Sequence, residues 1–86
     1  MPRINRASQS ERINNKFEGL FQEYRRNQNL ESDEIAERMG MTPPTLRSRR
    51  KNVKEFRVGE LQELARITGM PIKVVIAAVF GINLDA

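Results

Sequence analysis

The sequence predicts an all-α fold of five short helices, and three observations carry that expectation. Apolar residues recur at helical spacing in successive stretches of the chain. Glycine and proline stand at the points where helices should stop and start. No alternation of apolar and polar residues marks a strand before residue 71, and no internal repeat is present. At 86 residues the chain has room for one domain with a small core.

The elements follow in order. Residues 1–9, MPRINRASQ, lack a helical period and read as a flexible basic N-terminal arm, which leaves 10–86 as the folded domain. Ser10 is the expected N-cap of a first helix over about 11–27, with Glu11 in its first turn. Ile13, Phe17, Leu20, Phe21 and Tyr24 follow at steps of 4, 3, 1 and 3, which puts all five on one face as a core stripe. Ser32 is the expected N-cap of a second helix, with Asp33 and Glu34 behind it, Ile35, Ala36 and Met39 pointing inward, and Gly40 closing it in the left-handed conformation. A helix of two turns does not persist alone in water, so its neighbours must hold it.

The next stretch, TPPTLRSRRKN over residues 42–52, sets two prolines in front of the densest positive charge in the chain. Thr42 is the expected N-cap, which places Pro43 and Pro44 at the first two helical positions. The first four N–H groups of a helix have no partner within it, so neither proline removes a bond. Pro43 also restricts Thr42 to the extended region that an N-cap adopts. The pair therefore starts a helix. After Asn52–Arg57 a fourth helix carries Leu61, Leu64, Ala65 and Thr68 to Gly69, and Pro71 opens a last segment, IKVVIAAVF, capped by Gly81.

Composition limits the chemistry. Lys and Arg total 15 against 11 Asp and Glu, a net charge of +4. The excess lies in residues 1–54, with 12 basic and 7 acidic side chains, whereas 55–86 hold 3 and 4. Such asymmetry points to a polyanionic partner for the first part. The chain has no Cys and no His, which excludes a disulfide framework and a Cys/His zinc site. Without those residues or a glycine-rich phosphate loop, no enzyme activity, cofactor or small-molecule substrate is expected. No apolar run approaches the roughly 18 residues of a membrane span, and the N-terminus lacks the apolar centre of a signal peptide, so a cytoplasmic protein is expected.

A helical wheel of the third helix, at about 100° per residue, decides what it presents. With Leu46 inward, Pro44, Ser48 and Lys51 lie opposite, and Thr45 and Arg47 lie at the sides. Small side chains at the N-terminal end followed by long donors suit the major groove of double-stranded DNA. Thr42, Pro43, Pro44, Thr45, Arg47 and Ser48 are the expected contacts to base edges, with Arg47 suited to a bidentate bond with guanine. Ser32, Arg49, Arg50, Lys51, Asn52 and Lys54 are the expected phosphate contacts. Arg49 and Arg50 fall nearest the core, where their stems would pack and their heads reach outward. Arg3 and Arg6 of the arm are candidates for minor-groove contact.

The segment from Leu30 to Val75, in particular IAERMGMT with Ala36 and Gly40, Leu46 four residues after Thr42, and the later LQELARITGMP, resembles the Cro/C1-type (Xre-like, lambda-repressor-like) helix-turn-helix family. The resemblance implies a helix-turn-helix over about 32–51 with Thr42–Lys51 as the recognition helix. It places Thr42, Pro43, Pro44, Thr45 and Arg47 at groove-facing positions and Ser32 at a backbone contact. This chain departs from the pattern at Pro43 and Pro44, where polar readers are usual, and at Arg49 and Arg50, which replace residues that are commonly apolar and acidic. IAERMGMTPPTLR also looks like the start of a MerR-type regulator, but some thirty residues precede it here and no long heptad helix follows.

The last segment is nearly all apolar, interrupted only by Lys73, and a helix apolar on every side must be covered on every side. A symmetric homodimer through residues 72–84 is therefore expected, with Ile72, Val75, Ile76, Val79, Phe80, Ile82 and Leu84 at the interface, as a helix or a paired strand. The resulting expectation is a small repressor of the phage type that binds a two-fold operator. The alternative is a protein-interaction module on the same scaffold, an antirepressor or regulatory subunit with a regulatory protein as its partner.

Overall fold

The computed structural model describes residues 6–82. Its elements are α1 (Arg6–Asn27), α2 (Ser32–Arg38), α3 (Pro43–Lys51), a 3-10 turn (Val53–Glu55), α4 (Val58–Thr68) and α5 (Ile72–Phe80). No strand occurs among the described residues, so the all-α expectation holds. Arg3 and Leu84 lie outside them, as does the side chain of Arg6.

Two helix starts differ from expectation. The first helix begins at Arg6, not after Ser10, so Arg6–Gln9 are its first turn and not part of an arm. Residues Arg6 to Gln9 contain neither Gly nor Pro, and nothing stops the helix from growing one turn past the apolar stripe. Helix α2 starts with Ser32 inside it. Its N-cap is Glu31, at φ −86° and ψ 149°, and no side chain caps it.

The turn between α2 and α3 follows the sequence closely. Gly40 adopts φ +75°. The Gly40 N–H donates to the Glu37 carbonyl at 3.0 Å, and the Met41 N–H to the Ala36 carbonyl at 3.0 Å. That pair of bonds closes a helix through a left-handed residue. Thr42 then caps α3 from extended backbone at φ −80° and ψ 154°, with Pro43 and Pro44 leading the helix. The Thr45 N–H donates to Thr42 Oγ1 at 3.3 Å. A Cβ at Gly40 would meet open space, so the cost of adding one is conformational alone. Gly40→Ala is accordingly expected to lose about 1–2 kcal/mol, the penalty of a left-handed non-glycine residue. A lowered urea midpoint at unchanged slope is the reading that checks it.

Burial makes one core from all five helices. Phe17 and Phe21 of α1 are fully buried with Ile35, Leu46, Val53 and Leu64, and Leu30, Ala36, Phe56 and Ala78 complete the cluster. Phe17 and Phe56 meet tilted at 45°, with ring centroids 5.3 Å apart. A second cluster of Ala65, Met70 and Val75 sits between α4 and α5, with Tyr24 half-buried against it. Helix α1 touches α3, α4 and α5, and α2 lies on α3 and α4. Leu30, Val53, Phe56 and Met70 all come from connections, where helical periodicity has nothing to mark.

The last segment is a helix and not a strand. Pro71 stands at its N-cap and Gly81, at φ +71°, ends it, so the punctuation outweighs the β-branched content. Val75 is a correction: it is fully buried in this chain's own core and is absent from any outer face.

Candidate nucleic-acid interface

Nine residues of α3 contribute one buried side chain, Leu46. With Leu46 turned inward, Pro44, Arg47, Ser48 and Lys51 are exposed, and Thr45, Arg49 and Arg50 are half-buried. The wheel drawn from sequence is therefore the arrangement observed. Thr42 and Thr45 share a hydroxyl–hydroxyl bond of 2.9 Å at the start of the helix, so the N-terminal end is a compact shelf of two threonines and two prolines. Past it rise Arg47 and Lys51, one turn apart. A groove of about 380 Å³ runs beside them, lined on its other wall by Glu11, Asn14, Asn15 and Glu18 of α1.

Electrostatics divide the basic residues into two sets. Among the described residues no ion pair involves Arg47, Lys51 or Lys54. Arg49 and Arg50 differ from expectation, since their heads do not reach outward. The Arg49 guanidinium donates to Glu60 of α4, Nε to Oε1 at 3.0 Å and Nη2 to Oε2 at 3.4 Å. The Arg50 guanidinium donates to Glu18 of α1, Nε to Oε1 at 3.0 Å and Nη2 to Oε2 at 2.8 Å. Arg50 also lies 4.4 Å from the Phe21 ring centroid, over its face, a cation–π contact. Its Nη1 approaches Ser32 Oγ at 3.5 Å, so Ser32 faces α3 from the start of α2.

Three residues that sequence reasoning missed hold this end together. Glu18 and Glu60 are the partners just described. Asn14 accepts the Val53 N–H at 3.0 Å through Oδ1, which fastens the chain after α3 to α1. In sequence each is a polar residue on an outer helix face, and nothing local marks it. Lys54 is exposed, and Asn52 is half-buried at the end of α3.

The carboxylates respond to their surroundings. Burial raises the Glu18 pKa, but bonds from Arg50 and Gln22 outweigh it and leave the group below its ordinary 4.5. The bond from Arg49 lowers Glu60, burial opposes it, and the Arg57 N–H lowers it further. A depressed folded-state pKa contributes stability above the unfolded value that is lost as the pH falls through the folded one. Unfolding free energy is therefore expected to drop on acidification below about pH 4.5, and denaturant titrations in Glu18→Gln should show a smaller drop than wild type.

The apolar residues of α5 form a second exposed face. Ile72, Ile76 and Phe80 fall at four-residue steps and are 48%, 46% and 71% exposed, with Ile82 at 51% beyond them. Val58 at the start of α4, which was not expected there, is 73% exposed beside them. With Leu61, Gln62 and half-buried Val79 these side chains line a groove of about 200 Å³. No helix among the described residues is long and apolar enough to cross a membrane.

A helix-turn-helix family model matches residues 21–75, from the last third of α1 to the start of α5. No curated protein and no solved structure matches the chain. The matched family is one of DNA-binding regulatory domains.

Proposed function

The chain belongs to the Cro/C1-type helix-turn-helix family, and on that premise we propose that it is a sequence-specific transcription regulator, a small repressor that binds a two-fold operator as a homodimer. The observation that carries the proposal is the exposed face of α3, where Arg47, Ser48 and Lys51 stand clear of any carboxylate partner among the described residues. Arg47 reads bases, with Thr42, Thr45 and Ser48 adding single hydrogen bonds and Pro43 and Pro44 offering apolar contact to thymine methyls. Lys51 and Lys54 take phosphates, and Asn52 and Ser32 flank them. Held this way, the recognition helix lies with its N-terminal end toward the base edges.

The dimer half of the proposal rests on the exposed face of α5. Ile72, Ile76, Phe80 and Ile82, joined by Val58 and Leu61 of α4, form an apolar strip that a second copy would cover, and half-sites would then lie about one DNA turn apart. Dissociation of that dimer, or a regulatory protein covering the same strip, would control binding.

Duplexes selected from a random pool supply the test. Arg47→Ala is expected to reduce preference for the selected sequence by about 10-fold or more, at the scale of 1–3 kcal/mol for one bidentate base contact. Lys51→Ala is expected to weaken selected and random duplexes alike and to flatten the slope of log K against log salt by about 0.9. Absence of any preferred duplex at low salt would favour the protein-interaction module.

A further inference from the structure

Helix α3 has an anchoring problem. Its single buried side chain, Leu46, fixes where the helix sits but resists rotation about its own axis only weakly. A roll of 10° moves a side chain at a radius of 5–6 Å by about 1 Å. Functional groups that read a ligand must be held to roughly 0.5 Å, so such a roll would misalign Arg47 and Ser48 with the base edges.

Consecutive residues near the end of α3 meet that need. Arg49 and Arg50 leave the helix about 100° apart. Each uses the same fork, Nε and Nη2, against both oxygens of one carboxylate, Glu60 on α4 and Glu18 on α1. A two-point fork fixes direction as well as distance. The carboxylates are themselves held. Glu60 accepts the Arg57 N–H at 3.0 Å, which ties it to the start of α4. Glu18 accepts from Gln22 Nε2 at 2.7 Å. The Arg49 and Glu60 side chains are 22% and 20% exposed, so that fork is largely screened from water. Arg50 is 15% and Glu18 38% exposed, so water reaches the carboxylate side of the second fork.

We infer that Glu18 and Glu60 are positioning residues for DNA readout. Through Arg50 and Arg49 they brace α3 against roll in both senses, and the two arginines serve sequence discrimination and not phosphate binding. The inference rests on the proposed DNA-binding function and assigns to α1 and α4 a part in specificity that acts through the orientation of α3.

The sign of one substitution separates this role from simple electrostatics. Glu18→Gln removes a negative charge beside the DNA-binding face, so if charge alone mattered, every duplex would bind more tightly. A brace predicts the reverse for the selected duplex. Binding of the full chain to the selected and to a random duplex, at several salt concentrations, is the measurement. Glu18→Gln and Arg50→Gln are each expected to lower the selected-to-random ratio by about 10-fold, the size of one misaligned bidentate contact, with the salt slope unchanged. The exchange Glu18→Arg with Arg50→Glu is expected to recover most of that ratio.

Equal tightening on both duplexes by Glu18→Gln, or a slope flattened by about 0.9 in Arg50→Gln, overturns the inference. Glu60→Gln takes the place of Glu18→Gln if the latter does not fold, with the same two readings. Wild-type protein that prefers no duplex sinks the DNA-binding proposal and this inference together. A preference in wild type that survives intact in every brace variant sinks the inference alone.

Discussion

Leu46→Ala is expected to destabilise the protein by about 2–5 kcal/mol, a large share of the 5–15 kcal/mol that holds a domain of this size together. Leu46 is 1% exposed and belongs to the same cluster as Phe17, Phe21, Ile35 and Leu64. No other side chain of α3 is buried, and both prolines sit at its outer start. Truncation therefore removes the apolar anchor of the whole of α3, and no neighbour on the same helix can slide in to fill the cavity. Urea unfolding followed by circular dichroism measures the effect directly. The native signal at zero denaturant should persist, because α1, α4 and α5 keep their own contacts with one another. A loss below about 1 kcal/mol would mean that the arginine forks, and not Leu46, hold α3 in place.

Phe80→Asp is expected to act in the opposite manner, leaving the fold intact and breaking the assembly. The Phe80 side chain is 71% exposed, so an isolated chain loses little when it becomes charged. A carboxylate placed on the strip of Ile72, Ile76 and Val58 has only apolar side chains and the Gln62 amide around it and must stay hydrated, which opposes burial against a second copy. Equilibrium sedimentation at micromolar concentration should show wild type as a dimer and the variant as a monomer. The affinity for a two-half-site operator should fall by about 10² or more, because the second half-site no longer binds as an intramolecular event, while a single half-site should bind unchanged. Monomeric wild type at that concentration would remove the dimer from the proposal and leave the apolar strip to another protein.

The two substitutions also show where local sequence sufficed. Thr42, Pro43 and Pro44 specify a helix start by chemistry confined to three residues, and Gly40 a helix end by a dihedral angle only glycine adopts cheaply. Each works within one turn of chain, so each was readable in advance. The orientation of α3 was readable too, because nine residues with one aliphatic side chain leave one way to face inward. The same holds for the stripe from Ile13 to Tyr24, whose spacing needs no partner to be recognised. Ser32 misled because an N-cap preference is statistical, and Glu31 in extended backbone leads α2 without any side-chain bond.

Other features depended on contacts between residues far apart in the chain. Arg50 meets Glu18 across 32 positions, and Val53 meets Asn14 across 39. No pattern within a helix tells which outer carboxylate will face which arginine, so Arg49 and Arg50 read from sequence as free charges. Val75 and Ile76 are adjacent and equally apolar, yet one is in the core and the other on the surface, because α1 and α4 cover a single side of α5. Short-range backbone chemistry and residue spacing thus set the helices, their ends and the outward face of α3, since those depend on neighbours a few residues away. Which charges are spent inside the molecule, and which apolar side chains remain for a partner, was settled by how the helices pack, since burial is a property of the assembled core and not of any one segment.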